Sequence, residues 1–180
     1  MADARAAVNV FSAAGDAPRP SALEQEVVGH FDQMRERLLR YLSGFGLSTQ
    51  DCEEIVQETF LALFQHLQRG RSRRNLPAWL FRVAHNLGLR KRQRMRVTEE
   101  IGDSVVDPTP NPEDQLAASQ KQKRLWAVLA ALPQRDRRCL SLRAEGLRYR
   151  EIAEILDMSL GGVALALSRS LARIARVAEQ

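Results

Sequence analysis

Glu53, Glu54 and Glu58, with His66 further along, form the one carboxylate-rich cluster on a stretch that carries a helical pattern. Paired carboxylates and an imidazole are the groups that general acid–base chemistry uses. Glu54 and Glu58 lie four residues apart on the polar face of that pattern, with no obvious pocket around them. No glycine-rich phosphate loop and no nucleophile–base pair at telling spacing accompanies them, so the chain does not read as an enzyme. His30, His66 and His85 lack metal-ligand spacing, and neither a metal nor another cofactor is expected. Cys52 and Cys139 sit inside apolar helix patterns and read as reduced core residues rather than a disulfide scaffold.

A different chemistry runs through the basic stretch. From Arg69 to Arg96 there are ten Arg or Lys and no Asp or Glu. A block of that density suggests a polyanion, most simply nucleic acid. Arg69-Gly70-Arg71-Ser72-Arg73-Arg74-Asn75 reads as a basic loop. On the helix that follows, Trp79, Arg82, His85, Asn86, Arg90, Lys91, Arg92, Arg94 and Arg96 fall on the outside or at the margins. An aromatic ring beside arginines on one helix can stack bases and hold phosphates. Trp79 taken alone reads as a core residue, but ten cations without a balancing carboxylate are unusual for a solvated face. The charge then reverses: Glu99, Glu100, Asp103, Asp107, Glu113 and Asp114 lie between Val97 and Gln120 with no Lys or Arg.

The elements that must position these groups are all helical. The formal net charge of +5 over 180 residues and a hydrophobic share of 44% are compatible with one domain or two small ones. Residues 1–20 show no sustained periodicity and are expected to be a disordered arm. Leu23, Val27, Phe31, Met34, Leu38 and Leu42 recur at helical spacing from Ala22 to Ser43, and Gly44 and Gly46 end that helix. Ser48, with Asp51 three residues on, caps a second helix to about Gln68. Its core stripe is Cys52, Val56, Phe60, Leu63 and Leu67, with Ile55, Thr59 and Phe64 at the margins. Across from it Asp51, Glu54, Gln57 and Glu58 make an acidic, amide-rich face with Leu61 in its middle. Asn75 is expected to cap the basic helix, with Pro77 in its first turn and Leu76, Leu80, Val83, Ala84 and Leu87 inward.

Residues 97–111 have no amphipathic period and read as an acidic linker. Asn111-Pro112-Glu113-Asp114 then starts a helix that runs to Pro133. Gln134 to Glu145, Tyr149 to Leu156 and Leu160 to about Ala178 follow. Ile152, Leu156, Met158, Val163 and Leu167 can interlock the last two at a steep angle, with small Ala153 allowing close approach: a helix-turn-helix. The fold expected is all-α, with two small helical domains at 21–96 and 112–180. No apolar run approaches the roughly 20 residues of a membrane span, and the Ala-rich start lacks a signal-peptide core, so a cytoplasmic protein is expected.

Asp51 through Phe60 resembles the region 2 helix of bacterial sigma-70 family factors. Trp79 through Asn86 resembles the adjoining promoter-melting segment, and Leu132-Pro133 through Leu171 is similar to region 4. Two modules with little between them resemble the extracytoplasmic-function (ECF) class. The resemblance implies a sigma factor that binds core RNA polymerase, recognises promoter DNA and promotes its melting. It implies docking of Asp51, Glu54, Gln57, Glu58 and Leu61 on the clamp helices of the largest subunit, and a further contact with the flap of the second-largest. It implies minus-ten contacts by Arg71, Arg73, Arg74, Trp79, Arg82, Asn86, Arg90, Lys91 and Arg94, with Asn86 and the loop before Trp79 capturing a flipped base. For the minus-thirty-five element it implies Tyr149, Ser159, Leu160, Gly161, Gly162, Val163, Ala164, Ala166, Leu167, Arg169 and Arg173. An anti-sigma factor is a further implied partner.

The chain departs from the family where relatives often carry Thr, Lys and Arg early in the recognition helix. Gly162, Ala164 and Ala166 stand there instead, offering backbone approach and methyl contacts but not bidentate base contacts worth about 1–3 kcal/mol each. Arg90 stands where many relatives have an acid. The alternative to a sigma factor is a helix-turn-helix regulator or sigma-like adaptor that binds DNA or a partner without initiating transcription.

Overall fold

Ser21 opens the first helix through a reciprocal capping box. Its Oγ accepts from the Glu24 amide at 3.2 Å, and its own amide donates to the Glu24 carboxylate at 2.6 Å. The computed structural model describes residues 21–99 and 120–178, and among these every regular element is an α-helix. The first module holds α1 (Ala22–Ser43), α2 (Thr49–Gln68) and α3 (Leu76–Glu99); the second holds α4 (Gln120–Ala130), α5 (Gln134–Ala144), α6 (Tyr149–Leu156) and α7 (Leu160–Ala178).

The expected α2 stripe forms the centre of the first module. Cys52, Val56, Phe60, Leu63 and Leu67 are buried, and so are the marginal Ile55 and Thr59. The threonine hydroxyl is satisfied by donating to the Ile55 carbonyl at 2.7 Å. Burial in apolar surroundings, and secondarily the nearby Asp51, push the Cys52 thiol up to about 11, so it stays an unreactive core group. Met34, Leu38 and Leu42 of α1 and Leu76, Leu80, Phe81 and Ala84 of α3 close the core. Each buried leucine, phenylalanine or methionine among them contributes roughly 1.5–3 kcal/mol of transfer free energy. Ser48 caps α2 as expected, its Oγ accepting from the Asp51 amide at 3.1 Å.

Three expectations are corrected. His85 is buried rather than outside, because Tyr41 of α1 offers it a hydrogen bond of 2.7 Å within the core. Asn75 does not take the extended cap conformation: its φ is 55°, and its side-chain nitrogen donates to Glu151 of α6 at 2.9 Å. Asparagine tolerates that left-handed region better than most residues. The first residues of the expected linker, Val97 to Glu99, continue α3. The rest of that linker, the N-terminal arm and the helix start at Asn111 lie outside the described residues.

In the second module Cys139, Leu142, Leu147, Ile152, Ile155, Val163, Ala166 and Leu167 are buried together. Asp157, at φ 50°, ends α6, and the Ser159 hydroxyl accepts from the Gly162 amide at 3.0 Å to open α7. The two helices meet at 104°, the steep helix-turn-helix crossing expected from the sequence. No single described helix is long and apolar enough to cross a membrane.

Candidate polymerase and nucleic-acid interface

Trp79, Arg82, Asn86 and Arg90 follow one another at intervals of three or four residues, so they share one face of α3. The side chains of Arg82, Asn86 and Arg90 are exposed. Trp79 is partly buried, its ring 4.6 Å from the His66 ring at an interplanar angle of 42°. His66 also bonds the Ser72 carbonyl at 2.9 Å, so α2 fixes both the tryptophan and the basic loop before it. In that loop Arg71 and Arg74 are exposed, and the Asn75 carbonyl accepts the Trp79 amide at 3.1 Å. One indole, one amide and several guanidiniums thus lie along a continuous surface, where a base can be stacked and a backbone held.

Two of the expected minus-ten residues are turned elsewhere. Arg73 makes a forked pair with Glu26 at 2.9 and 3.1 Å, and that bond holds the Glu26 carboxyl below the usual carboxylate range. Lys91 reaches back to α2, lying 2.6 Å from Asp51 and 3.0 Å from Glu54. Hydrogen bonds from Lys91 and Ser48 hold the Asp51 carboxyl low, and the same carboxylates raise the Lys91 ammonium. Arg94 is exposed at the far end of the helix.

On α2, Glu54, Gln57, Glu58 and Leu61 lie on one face at i, i+3, i+4 and i+7, all exposed. Leu61 is 58% exposed. Asp51, at the start of that face, is only partly exposed because Lys91 and Ser48 claim it.

On the helix-turn-helix, Ser159, Leu160, Gly161 and Ala164 are exposed, and Gly162 is half-buried against Ser159. Val163, Ala166 and Leu167 are buried in the core of the module, where they hold α7 in place and cannot touch a DNA base. The i, i+3, i+4 periodicity that makes α7 pack selects these three for the inside. Arg169 is bonded at 3.1 Å to Asp136, a carboxylate whose burial demands a cation. Arg173 is exposed one turn on, and Tyr149 is 42% exposed with the Arg143 guanidinium 5.8 Å from its ring centre.

A contact between the modules adds residues that sequence reading missed. The Glu145 carboxylate accepts from Arg37 at 3.0 Å and from Arg40 at 3.1 Å. Beside it, Glu151 bonds Asn75. No local signal marks partners separated by so much chain.

The chain matches two known modules. Residues 30–96 match the family model for sigma-70 region 2, and residues 122–174 match that for sigma-70 region 4. The ECF RNA polymerase sigma factor SigE of Mycolicibacterium smegmatis is 35% identical over 160 residues, covering 86% of this chain and 60% of that relative. The chain thus spans about three fifths of that relative's length. The RNA polymerase sigma factor CnrH of Cupriavidus metallidurans is 30% identical, covering 72% of this chain and 74% of its own. Among solved structures, the sigma factor RpoE of Bartonella quintana, in complex with the anti-sigma factor NepR, superposes with a TM-score of 0.60 at 22% identity over 83% of this chain and 96% of its own. These two modules in this order define the sigma-70 class. The chain belongs to the ECF family of RNA polymerase sigma factors.

Proposed function

We propose that this chain binds core RNA polymerase through Glu54, Gln57, Glu58 and Leu61 of α2 and captures the melted minus-ten strand on Arg74, Trp79, Arg82, Asn86 and Arg90. The observation that carries the reading is the exposed Leu61 within an acidic face, on the module that also presents the Trp79–Arg90 face. An apolar side chain ringed by polar ones fits a protein partner, and exposed arginines beside a half-buried indole fit a single strand. Asp51 stands at the rim of the first surface. Arg71 extends the second and Arg94 lies at its far end; Arg73 and Lys91 join it only by leaving Glu26 and the α2 acids.

In this reading the second module, 112–180, meets the minus-thirty-five element through Ser159, Leu160, Gly161, Ala164 and Tyr149, which are exposed, with Arg173 on a phosphate. Promoter opening of this kind is positioning and strand capture; the chain itself catalyses no bond change. The largest-subunit clamp helices and the flap of the second-largest subunit are the polymerase contacts of this reading, which places the protein in a bacterial cytoplasm. An anti-sigma factor, such as the one in complex with the Bartonella relative, is a partner for the same surfaces.

Promoter mapping by transcription with purified core polymerase tests the reading. It expects initiation at a defined promoter subset and loss of polymerase binding in the Glu54→Lys/Glu58→Lys variant. The smooth, uncharged start of α7 favours a second reading, a DNA-binding regulator that does not initiate. In that case the double variant binds DNA at least as well as the wild type, and core polymerase is never engaged.

A further inference from the structure

We propose that Leu165 is the residue by which α7 selects its DNA, through apolar contact with the C5-methyl group of a thymine in the major groove. The proposal rests on the reading that α7 meets the minus-thirty-five element, and it names the chemistry of that contact. Leu165 is not among the residues that the family resemblance assigns there.

The outward side of α7 is fixed by its inward one. Val163, Ala166, Leu167 and Ser170 are packed away inside the module. At about 100° per residue, Gly161, Ala164, Leu165, Ser168 and Ala172 then point away from that core, and each is exposed. Leu165 stands near the middle of this face with 56% of its surface exposed, and Leu160, on one margin, is 50% exposed. A Cβ built on Gly161 meets nothing within 4 Å, so one turn before Leu165 the helix backbone itself is open to close approach.

What such a face can distinguish follows from its donors and acceptors. Among Leu160, Gly161, Ala164, Leu165 and Ser168, only the serine has a hydrogen-bonding side chain. A hydroxyl both donates and accepts, so it discriminates poorly between base edges. In the major groove the base pairs differ in their hydrogen-bonding groups and in one apolar group, the thymine methyl. Leucine and alanine side chains can tell only the methyl apart. Leu165 is the side chain at the centre of that face with the reach and apolar surface to cover it.

The surroundings of this face suit a groove of DNA. Helix α7 carries no Asp or Glu, and Arg169, Arg173 and Arg176 run along the margin opposite Leu160 at i, i+4 and i+7. Arg169 is held by Asp136, but Arg173 and Arg176 are exposed. An apolar centre with a cationic edge is complementary to a groove whose floor carries methyl groups and whose walls carry phosphates.

The test starts from a promoter mapped as described above, with about eight base pairs around the minus-thirty-five position randomised. Fragments held by the full chain together with core polymerase are recovered and sequenced. Each enriched thymine is then replaced by deoxyuridine, which pairs alike but lacks the methyl, and affinity is read from the anisotropy of the labelled fragment. At one position uracil is expected to weaken wild-type binding about fourfold, the weight of one buried CH2 group. Leu165→Ala removes an exposed side chain, and in that variant thymine and uracil should bind alike at that position. Enriched positions without thymine overturn the proposal, as does uracil tolerated at every position or an undiminished uracil effect in Leu165→Ala. A preference for A·T pairs that survives both changes is readout of groove shape, and it too overturns the proposal. A pool in which no upstream position is enriched has a different meaning, because it removes the minus-thirty-five reading itself and the proposal with it.

Discussion

The hydroxyl of Tyr41 lies 2.7 Å from Nδ1 of His85, joining α1 to α3 inside the core of the first module. Phe45 packs edge-on against both rings, at 5.4 and 5.6 Å. Burial raises the Tyr41 phenol well above its ordinary range, so both members of the pair are neutral.

Stability is expected to fall with acid through this histidine. Burial, and then the Arg138 cation, push the His85 imidazole down to about 4, whereas an unfolded imidazole titrates near 6.5. Below about pH 6.5 the unfolded chain takes up a proton that the folded chain refuses, so stability present at neutral pH drains away until about pH 4. The full loss is about 3 kcal/mol by linkage. Urea unfolding at pH 7 and pH 4.5 measures it, and His85→Gln should flatten the difference; an equally steep fall in that variant assigns the loss to other groups.

Leu61→Asp should separate binding from stability. With the side chain 58% exposed, unfolding free energy is expected to shift by no more than about 0.5 kcal/mol. Affinity for core polymerase should drop at least about tenfold, or about 1.4 kcal/mol, as for a central apolar contact. Pull-down titration and thermal unfolding of the same preparation give the two numbers.

Two helical glycines should respond in opposite directions to alanine. A Cβ at Gly88 meets two Phe45 ring carbons at 3.1 Å and a Leu42 methyl at 3.2 Å, and neither neighbour has room to retreat. Overpacking outweighs the helix gain, giving a net loss of about 1 kcal/mol. A Cβ at Gly29 meets nothing within 4 Å, so Gly29→Ala should stabilise by about 0.5–1 kcal/mol. Denaturant midpoints for the pair check the packing of α3 on α1.

Salt titration of single-strand binding distinguishes a phosphate contact from a base contact on α3. Arg82→Ala should lower the log–log slope by about 0.7, the value for one phosphate on a single strand. Asn86→Ala should weaken binding with the slope intact, because an amide that reads a base edge releases no counterion. Equal slope changes in both variants would contradict these roles.

Helix identity and facing were legible in the sequence, because they depend on spacing along one chain. The α2 stripe, the Leu61 anomaly, the Ser48 cap and the 152–167 interlock were all read from periodicity and found in place. Partners far apart in the chain were not legible. Lys91 and Arg73 counted as free cations until the fold set them against Asp51 and Glu26, and His85 counted as a surface residue until Tyr41 was beside it. Val163 and Leu167 were read both as core residues of the interlock and, with Ala166, as DNA contacts, because a motif names a whole stretch of helix; their burial leaves them the first role. Sequence determined which groups the protein owns and which face of each helix is apolar, since those are local properties of the chain. Tertiary structure alone decided which charges are already spent on one another and which still face a partner, since an ion pair such as Arg37–Glu145 forms only when two distant helices are brought within about 3 Å.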